Sequence, residues 1–513
     1  MRKRALISVF KKDGVEELAG KLIDLGFEIW ASEGTYSYLD SKLSSGSKSA
    51  SLKKISSITG FTELLGGRVK TLDSRIFAGV LYRNEEEAEE LEQKEIPVFK
   101  VVYVDLYDFE EGWAQQREGK RDFDSLVELI DIGGVSLLRA AAKNFRNVAV
   151  AFSREDIPLL LKAVEEDSLK LRKELARKVF NYTSFYDALI GRSFFYESSP
   201  LDQRLFALPM KKIQDFRYGE NPHQRGALYR TWLDESPFEQ LWGKEISYNN
   251  VQDFLAGWSV VLDLKRYGFP SCVIVKHGGP CGASVNPSQK ERYLEALSGD
   301  PVAAFGGIVF FSDRVEAETA SLIVERFYEM IVAPDFSPEA LEVLKTKKKL
   351  IILKTSLLPW FFEAKVFGNI ALLQESDIIE EVVLGDNWKV ITSVKPTPEQ
   401  FEDAKVAWAI VKGLRSNAIA VVKGGILVGS GSGSPSRVEA VKIALEKAGE
   451  RAKGAVMASE AFFPFPDSVE LAHRHGVAGI VQPGGSIRDN EVVEAAEKLG
   501  LFMIITGVRH FKH

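Results

Sequence analysis

Residues 5–32 read ALISVFKKDGVEELAGKLIDLGFEIWAS: an apolar run, an amphipathic stretch and a second apolar run. ALISVF and FEIWAS have the length of buried strands. In DGVEELAGKLIDLG the apolar positions recur every three to four residues and stop at Gly26, as a helix requires. A strand, helix, strand order predicts a parallel pairing. The same rhythm returns in FKVVYVDLY, VELIDIGGVSLLRAAAKN and NVAVAF, so the first third of the chain is expected to be α/β around a mostly parallel sheet. Ligands of such sheets sit beyond the carboxyl ends of the strands, where this chain carries Ser8, then Ser32, Glu33, Gly34 and Thr35.

Beyond that core, the Ser/Lys/Gly-rich stretch 41–51 predicts a loop, and EEEAEELEQKE (85–95) a charged helix face. The helical pattern LKLRKELARKVFNYTSFYDALIGRSFFYE ends near Ser198-Ser199-Pro200, which predicts a boundary between domains 1–198 and 199–513. After it the α/β alternation comes twice, from SCVIVKH to FGGIVFFS and from NAIAVVKGGILVGS to GAVMASEAFF. Two related subdomains divided near 370–395 are the expectation.

Composition bounds the function. At roughly 150 residues per domain, 513 residues allow about three. With 45% hydrophobic and 27% charged residues the chain is globular, which excludes wholesale disorder. Sixty-six basic against 72 acidic residues give −6, so no nucleic-acid partner is expected and a phosphate must be met by local cations. Two cysteines, Cys272 and Cys281, make no disulfide framework. MRKRALISVF leads into no signal-peptide core, and no run approaches a membrane span of about 18 apolar residues; a cytoplasmic location follows as an expectation.

Several clusters could carry chemistry. Gly66-Gly67-Arg68-Val69-Lys70-Thr71 brings two cations and a hydroxyl to one turn, suited to an anion, although a solvated turn has the same composition. In Ile130-Asp131-Ile132-Gly133-Gly134, continuing to Arg139 and Lys143, the glycine pair is expected to open a helix and leave Asp131 in the loop before it. Arg217-Tyr218-Gly219-Glu220-Asn221-Pro222-His223-Gln224 is a dense polar string that reads equally as a surface turn. Lys276-His277 follows the apolar strand SCVIV and offers an acid/base beside a fixed cation. Ser416-Asn417 precedes AIAVV. Gly429-Ser430-Gly431-Ser432-Gly433 leads to Ser436-Arg437, and the intervening Pro435 argues for phosphate or carboxylate cradling rather than a dinucleotide site. Phe462-Phe463-Pro464-Phe465-Pro466-Asp467 could stack a planar ring or simply cap a core. Pro280-Cys281 is similar to a zinc-deaminase motif, but Ser284 stands where its second cysteine is needed.

Taken in order, GGRVKTL, IDIGGVSLLRAAAKN, RYGENPHQ, the Lys-His strand end, SNAI, SR and AFFPF identify a resemblance over the whole chain. It resembles the bifunctional purine-biosynthesis family that joins AICAR (aminoimidazole carboxamide ribotide) formyltransferase to IMP cyclohydrolase. The resemblance implies an N-terminal methylglyoxal-synthase-like three-layer α/β domain and a C-terminal transformylase of two cytidine-deaminase-like α/β subdomains. It also implies 10-formyltetrahydrofolate as formyl-donating co-substrate, no required metal, AICAR, formyl-AICAR and IMP as ligands, and a homodimer. For formyl transfer it nominates Lys276, His277 and Asn417, with Arg217, Tyr218, Asn250, Phe305, Arg437 and Arg509 on the ribotide and Phe462, Phe463 and Asp467 on folate. For ring closure it nominates Lys70, Tyr107, Asp131 and Lys143, with Ser8, Lys12, Ser32, Gly34, Thr35, Arg68 and Thr71 as phosphate and ribose contacts.

The chain departs from the family pattern at the first site. Ser-Val-Ser-Asp-Lys-Thr-Gly becomes Ser8-Val9-Phe10-Lys11-Lys12-Asp13-Gly14, and Gly-Gly-Thr becomes Glu33-Gly34-Thr35, an acid that is unfavourable beside a phosphate unless it points away. Lys-Thr-Leu-His-Pro becomes Lys70-Thr71-Leu72-Asp73-Ser74, and Asn-Leu-Tyr-Pro becomes Asp105-Leu106-Tyr107-Asp108. In the second half Gly-Gln-Met-Ser-Arg becomes Gly433-Ser434-Pro435-Ser436-Arg437. Two other readings are a zinc-dependent nucleotide deaminase on a related fold and a catalytically silent ribotide-binding protein.

Overall fold

The computed structural model describes residues 2–43, 49–62, 64–65, 68–194, 199–231, 238–356, 362–378 and 388–513. Part of the predicted 41–51 loop, the Gly66-Gly67 pair and the predicted boundary at Ser198 lie outside these residues. The chain forms two compact units, 1–211 with 231–233, and 212–230 with 234–513. The first runs to Lys211, past the expected boundary; Pro200 is buried and Lys211 Nζ meets Glu110 Oε2 at 2.8 Å.

In the first unit, β1 (Arg4–Ser8), β2 (Glu28–Ala31), β3 (Leu52–Lys54), β4 (Val101–Val104) and β5 (Ala149–Ala151) form one sheet ordered β3-β2-β1-β4-β5, parallel throughout. Its two faces follow the two-residue period of the strands. Ala5, Ile7 and Ile29 pack with Leu18, Leu22 and Leu160 of helices Val15–Asp24 and Ile157–Glu165. Leu6, Val102 and Val150 pack with Leu138, Val179 and Tyr186 of helices Gly133–Lys143 and Leu169–Phe194. Both faces are covered, so the strands read as continuous apolar runs. The strand order reverses between β1 and β4, and that is where an open α/β sheet leaves a crevice at its carboxyl edge.

β6 (Lys211–Phe216) belongs to the second unit from Lys212 onward, and that unit also contains β7 (Gly226–Arg230), β8 (Glu239–Trp242), β9 (Cys272–Lys276), β10 (Gly279–Ser284), β11 (Ile308–Phe311), β12 (Met330–Ala333), β13 (Ile351–Lys354), β14 (Phe362–Phe367) and β15 (Ile370–Glu375). These are followed by β16 (Lys389–Val390), β17 (Ile419–Lys423), β18 (Ile426–Gly431), β19 (Val456–Ser459), β20 (Gly479–Gln482) and β21 (Phe502–Ile505). Twelve of them make one sheet, β16-β21-β20-β19-β17-β18-β10-β9-β11-β12-β13-β8. The expected duplication is explicit in it. β10-β9-β11-β12-β13 and β18-β17-β19-β20-β21 share the same pairing sequence, antiparallel, antiparallel, parallel, parallel. A short antiparallel edge strand closes each half, and β10 pairs with β18 where the halves meet.

The duplication also explains the glycine loop. Gly429 and Gly431 lie in β18, where an added Cβ would stand 2.1 Å from the Ala444 and Ala440 carbonyl oxygens of helix Arg437–Ala448. Gly282 of β10 has the same relation to Ala296 O, at 2.0 Å, in helix Gln289–Gly299. These glycines let a helix settle onto a strand, and the anion cradle expected from their spacing is corrected accordingly. Gly431→Ala should therefore destabilise the second unit by about 1–3 kcal/mol or more, through overpacking against backbone that has no rotamer to change. Differential scanning calorimetry against the parent checks this. Among the described residues no helix is long and apolar enough to cross a membrane.

Candidate active sites

The first cluster forms at the β1/β4 crevice. Ser8 ends β1, Ser32 follows β2, and their hydroxyl oxygens are 3.0 Å apart. Thr35, fully buried, accepts from the Val9 N–H at 3.1 Å and from Lys12 Nζ at 3.1 Å, while Ser32 Oγ donates to it at 3.2 Å. Gly34 leaves room beside Lys12: a Cβ there would lie 4.0 Å from Nζ. Burial, reinforced by the nearby charge of Lys70, holds the Lys12 ammonium below its ordinary range. Lys70 Nζ reaches Tyr107 OH at 3.5 Å.

Asp131 lies in the loop before helix Gly133–Lys143, as the glycine pair predicts. Its Oδ1 accepts from the Gly134 N–H at 2.6 Å, and its own N–H donates to Tyr186 OH at 2.8 Å. Burial raises its carboxyl above the usual range against the pull of Gly134 and Lys70. Gly133 is close to Thr71, since a Cβ on it would stand 3.0 Å from Thr71 Oγ1. Glu33 points away from the cluster, toward Ser56 Oγ at 2.5 Å and Lys54 Nζ at 3.0 Å, which removes the expected conflict with a phosphate. Two nominated residues stand apart. Arg68 is exposed and paired with Glu128, and Lys143 is exposed at the far end of an 11-residue helix, about 15 Å of rise from Asp131.

The second cluster centres on the β9–β10 hairpin. Lys276 pairs with Gly279 across a two-residue turn, His277-Gly278, whose φ values are +53° and +77°. Such a double positive-φ turn matches strand twist but favours glycine or asparagine, so His277 occupies a costly conformation. The twin hairpin has Gly424-Gly425 at +60° and +75°. Each turn is held by an aspartate of the preceding helix: Asp253 accepts from the Gly278 N–H at 2.6 Å, and Asp403 from Gly424 and Gly425 at 2.9 and 2.6 Å. Burial raises both carboxyls. Lys276 Nζ donates to Phe305 O at 2.8 Å, leaving the Phe305 ring exposed.

Asn417 enters the same edge of the sheet. Three antiparallel pairings separate β9 from β17, so the start of β17 lies beside the end of β9, about 14 Å along the sheet. The chain leading to Asn417 passes closer, because a Cβ on Gly279 would lie 3.8 Å from Leu414 Cδ2. Asn417 Nδ2 donates to Ser434 O at 2.8 Å and its Oδ1 accepts from Arg437 Nη2 at 2.7 Å. The main chain of Ser434 thus serves here, whatever its side chain. Arg437 is buried, and its guanidinium also meets Ser459 Oγ at 2.8 Å and both carboxylate oxygens of the fully buried Glu460. Arg437 is therefore committed to the protein rather than open to a phosphate.

Residues 509–512 run beside this turn: the Ser416 N–H donates to Lys512 O at 2.9 Å and the His510 N–H to Glu460 O at 3.0 Å. Arg509 is exposed, 4.3 Å above the Phe511 ring. Arg217 and Tyr218 lie in the loop after β6, whose Asn221 and Gln224 close on each other at 2.9 Å. Asn250 is buried at the start of helix Tyr248–Arg266, where its Oδ1 accepts from the Ser247 N–H at 3.1 Å as a helix cap.

The aromatic run divides. Phe462 is half-buried and Asp467 exposed at the first turn of helix Asp467–Arg474, but Phe463 is a core residue with no exposed surface. Phe465, exposed and 4.8 Å from the Arg488 guanidinium, is the ring available for stacking. As for the deaminase reading, the residue at the second cysteine position is Ser284, whose Oγ donates to Glu295 Oε2 at 2.6 Å, and the Cys281 thiol donates to Ile274 O at 3.4 Å. Sequence reasoning missed Asp253 and Glu460; the only signal for the latter was an acid inside the apolar run VMASEAFF.

A family model described as AICARFT/IMPCHase bienzyme matches residues 141–447, and one described as MGS-like domain matches 14–136. The bifunctional purine biosynthesis protein PurH of Aquifex aeolicus (strain VF5) is 43% identical over 525 aligned residues, covering 99% of this chain and 100% of that protein. PurH of Clostridium perfringens (strain SM101 / Type A) is 44% identical over 521, and that of Desulfitobacterium hafniense (strain DSM 10664 / DCB-2) 42% over 535, each covering 100% of both chains. A solved chain described as the crystal structure of ForH is 30% identical over 38% of this chain and 100% of its own length, at a TM-score of 0.31. With an MGS-like segment preceding the bienzyme match and full-length relatives at this identity, the chain belongs to the bifunctional AICAR formyltransferase and IMP cyclohydrolase family.

Proposed function

We propose that the second unit transfers the formyl group of 10-formyltetrahydrofolate to the exocyclic amine of AICAR, and that the first closes formyl-AICAR to IMP. The observation that carries this is the meeting of Lys276-His277 and Asn417 at one sheet edge, with His277 held in a strained turn by Asp253. The AICAR amine is a poor nucleophile because it is conjugated with ring and carboxamide. As its nitrogen bonds to the formyl carbon, His277 takes its proton and Lys276 stabilises the oxyanion; the bond from formyl carbon to folate nitrogen then breaks and that nitrogen is protonated. Asn417, fixed by Arg437, orients the carboxamide. Arg217, Tyr218, Arg509, Asn250 and Phe305 face the ribotide, and Phe462, Phe465 and Asp467 the folate.

In the first unit the carboxamide nitrogen attacks the formyl carbon and water leaves. Lys70 stabilises the oxyanion, Tyr107 and Asp131 move protons, and Ser8, Lys12, Ser32, Gly34, Thr35 and Thr71 hold the ribose phosphate through hydroxyls, amides and a cation. Arg68, freed from Glu128, would reach the same anion. The protein acts in the cytoplasm as a homodimer, without a nucleic-acid or membrane partner, and needs no metal.

A time course with AICAR and 10-formyltetrahydrofolate, following tetrahydrofolate and IMP separately, tests the whole reading: both should rise together, and failure of both would refute it. Lys70→Ala should lower cyclisation of supplied formyl-AICAR by about 100-fold or more, the scale of losing one oxyanion donor, with formyl transfer retained. Lys143→Ala in the same assay decides whether Lys143 acts with Asp131: a parental rate takes it out of the set.

A further inference from the structure

We propose that Asp105 is a built-in competitor for the ribotide phosphate of the first site, setting how tightly that site holds its nucleotide; the inference rests on the reading of that site given above. Asp105 follows β4 directly and reaches across the crevice to the turn after β1. Its carboxylate accepts from the Phe10 N–H and, at 2.9 Å, from the Lys11 N–H. Two adjacent backbone amides at the carboxyl end of a parallel strand, beside Lys12 and Ser8, are what an anion-binding loop offers a phosphate. Here they already hold an anion from the protein itself.

The surroundings make the charge count. Facing Asp105 are Lys11 and Lys12 from the loop after β1, Lys70 beside Lys12, Asp108 on its own segment and paired with Lys11, and the buried phenols Tyr103 and Tyr182. Lys12 is turned inward to Thr35 and Val9 rather than onto Asp105, so when the carboxylate is ionised Lys12 does not pair with its charge, which then stands in the cluster a dianionic phosphate enters. Burial pushes the carboxyl up to about 6, against the pull of the two amides and the lysines. The sign follows. Below about pH 6 the group is neutral and offers no repulsion. Above it, the negative charge opposes the incoming phosphate, so affinity falls as pH rises.

The inhibition constant of IMP against cyclisation of supplied formyl-AICAR reads this site alone, using the full chain at pH 5 and pH 8. Comparing Asp105→Asn with the parent at each pH cancels the titration of the phosphate itself. Asparagine keeps an oxygen for one of the two amides and carries an NH2 where the protonated acid would carry its hydroxyl, so it mimics the neutral form; the variant should bind IMP about tenfold more tightly at pH 8 and within about twofold of the parent at pH 5. Asp105→Ser, a second neutral variant, should show the same pH-confined gain. An Asn/parent ratio that is the same at both pH values overturns the inference, as does weaker binding by both variants at pH 8, which would make the carboxylate a ligand contact. No cyclisation by the parent at either pH would instead overturn the reading of the first site, and the inference with it.

Discussion

His277→Ala is expected to lower formyl transfer by about 100- to 10,000-fold, the range for losing a positioned general base, while cyclisation of supplied formyl-AICAR continues. The second half of that expectation follows from topology, since His277 and the Lys70–Asp131 cluster belong to different compact units. A companion substitution separates chemistry from folding. In the twin hairpin the position of His277 is Gly424, at nearly the same φ, +60° against +53°. His277→Gly therefore removes a left-handed penalty of about 1 kcal/mol and adds an unfolded-state entropy cost of similar size, so it should melt within about 1 kcal/mol of the parent. Unchanged melting with transfer lost would establish that a histidine is kept in a glycine's conformation for its imidazole. Transfer surviving in both variants would remove His277 from the mechanism.

The same hairpin shows what the sequence could and could not convey. Strand runs such as VIVK and AVVK are legible because a strand buried on both faces must be apolar throughout, and the carboxyl-edge rule for parallel sheets then gathers Ser8, Ser32 and Thr35 from positions far apart in the chain. Asp253 is not legible. It sits one helix earlier than the turn it holds, and nothing local marks an aspartate whose partner is a backbone amide 25 residues on. The glycine loop misleads for a related reason: close helix packing and anion binding both demand a missing side chain, and only the position of Ala440 O and Ala444 O distinguishes them. Phe463 and Phe465 likewise look alike in a Phe-Pro run, although one is core and the other meets Arg488 at the surface.

Arg437 carries the second large expectation, and its physics differs from that of His277. Glu460 is fully buried and its carboxylate is met by the Arg437 guanidinium, itself buried, which also holds Asn417 and Ser459. Arg437→Met leaves that carboxylate charged and unpaired in the interior, a change that costs about 3–5 kcal/mol, and the loss should appear as a lower denaturant midpoint for the second unit. Removing both charges in Arg437→Met/Glu460→Met replaces the pair with apolar side chains and should recover most of that stability, because buried pairs and their apolar replacements are often close in energy. Formyl transfer should not recover with it. Asn417 Oδ1 would still lack the Nη2 donor at 2.7 Å that fixes its amide, so the double variant is expected to be folded, with cyclisation intact and transfer impaired in kcat more than in KM. If transfer returned together with stability, Arg437 would be a structural residue only, and the orientation of Asn417 would have to come from its contacts with Ser434 O and Pro435 O alone.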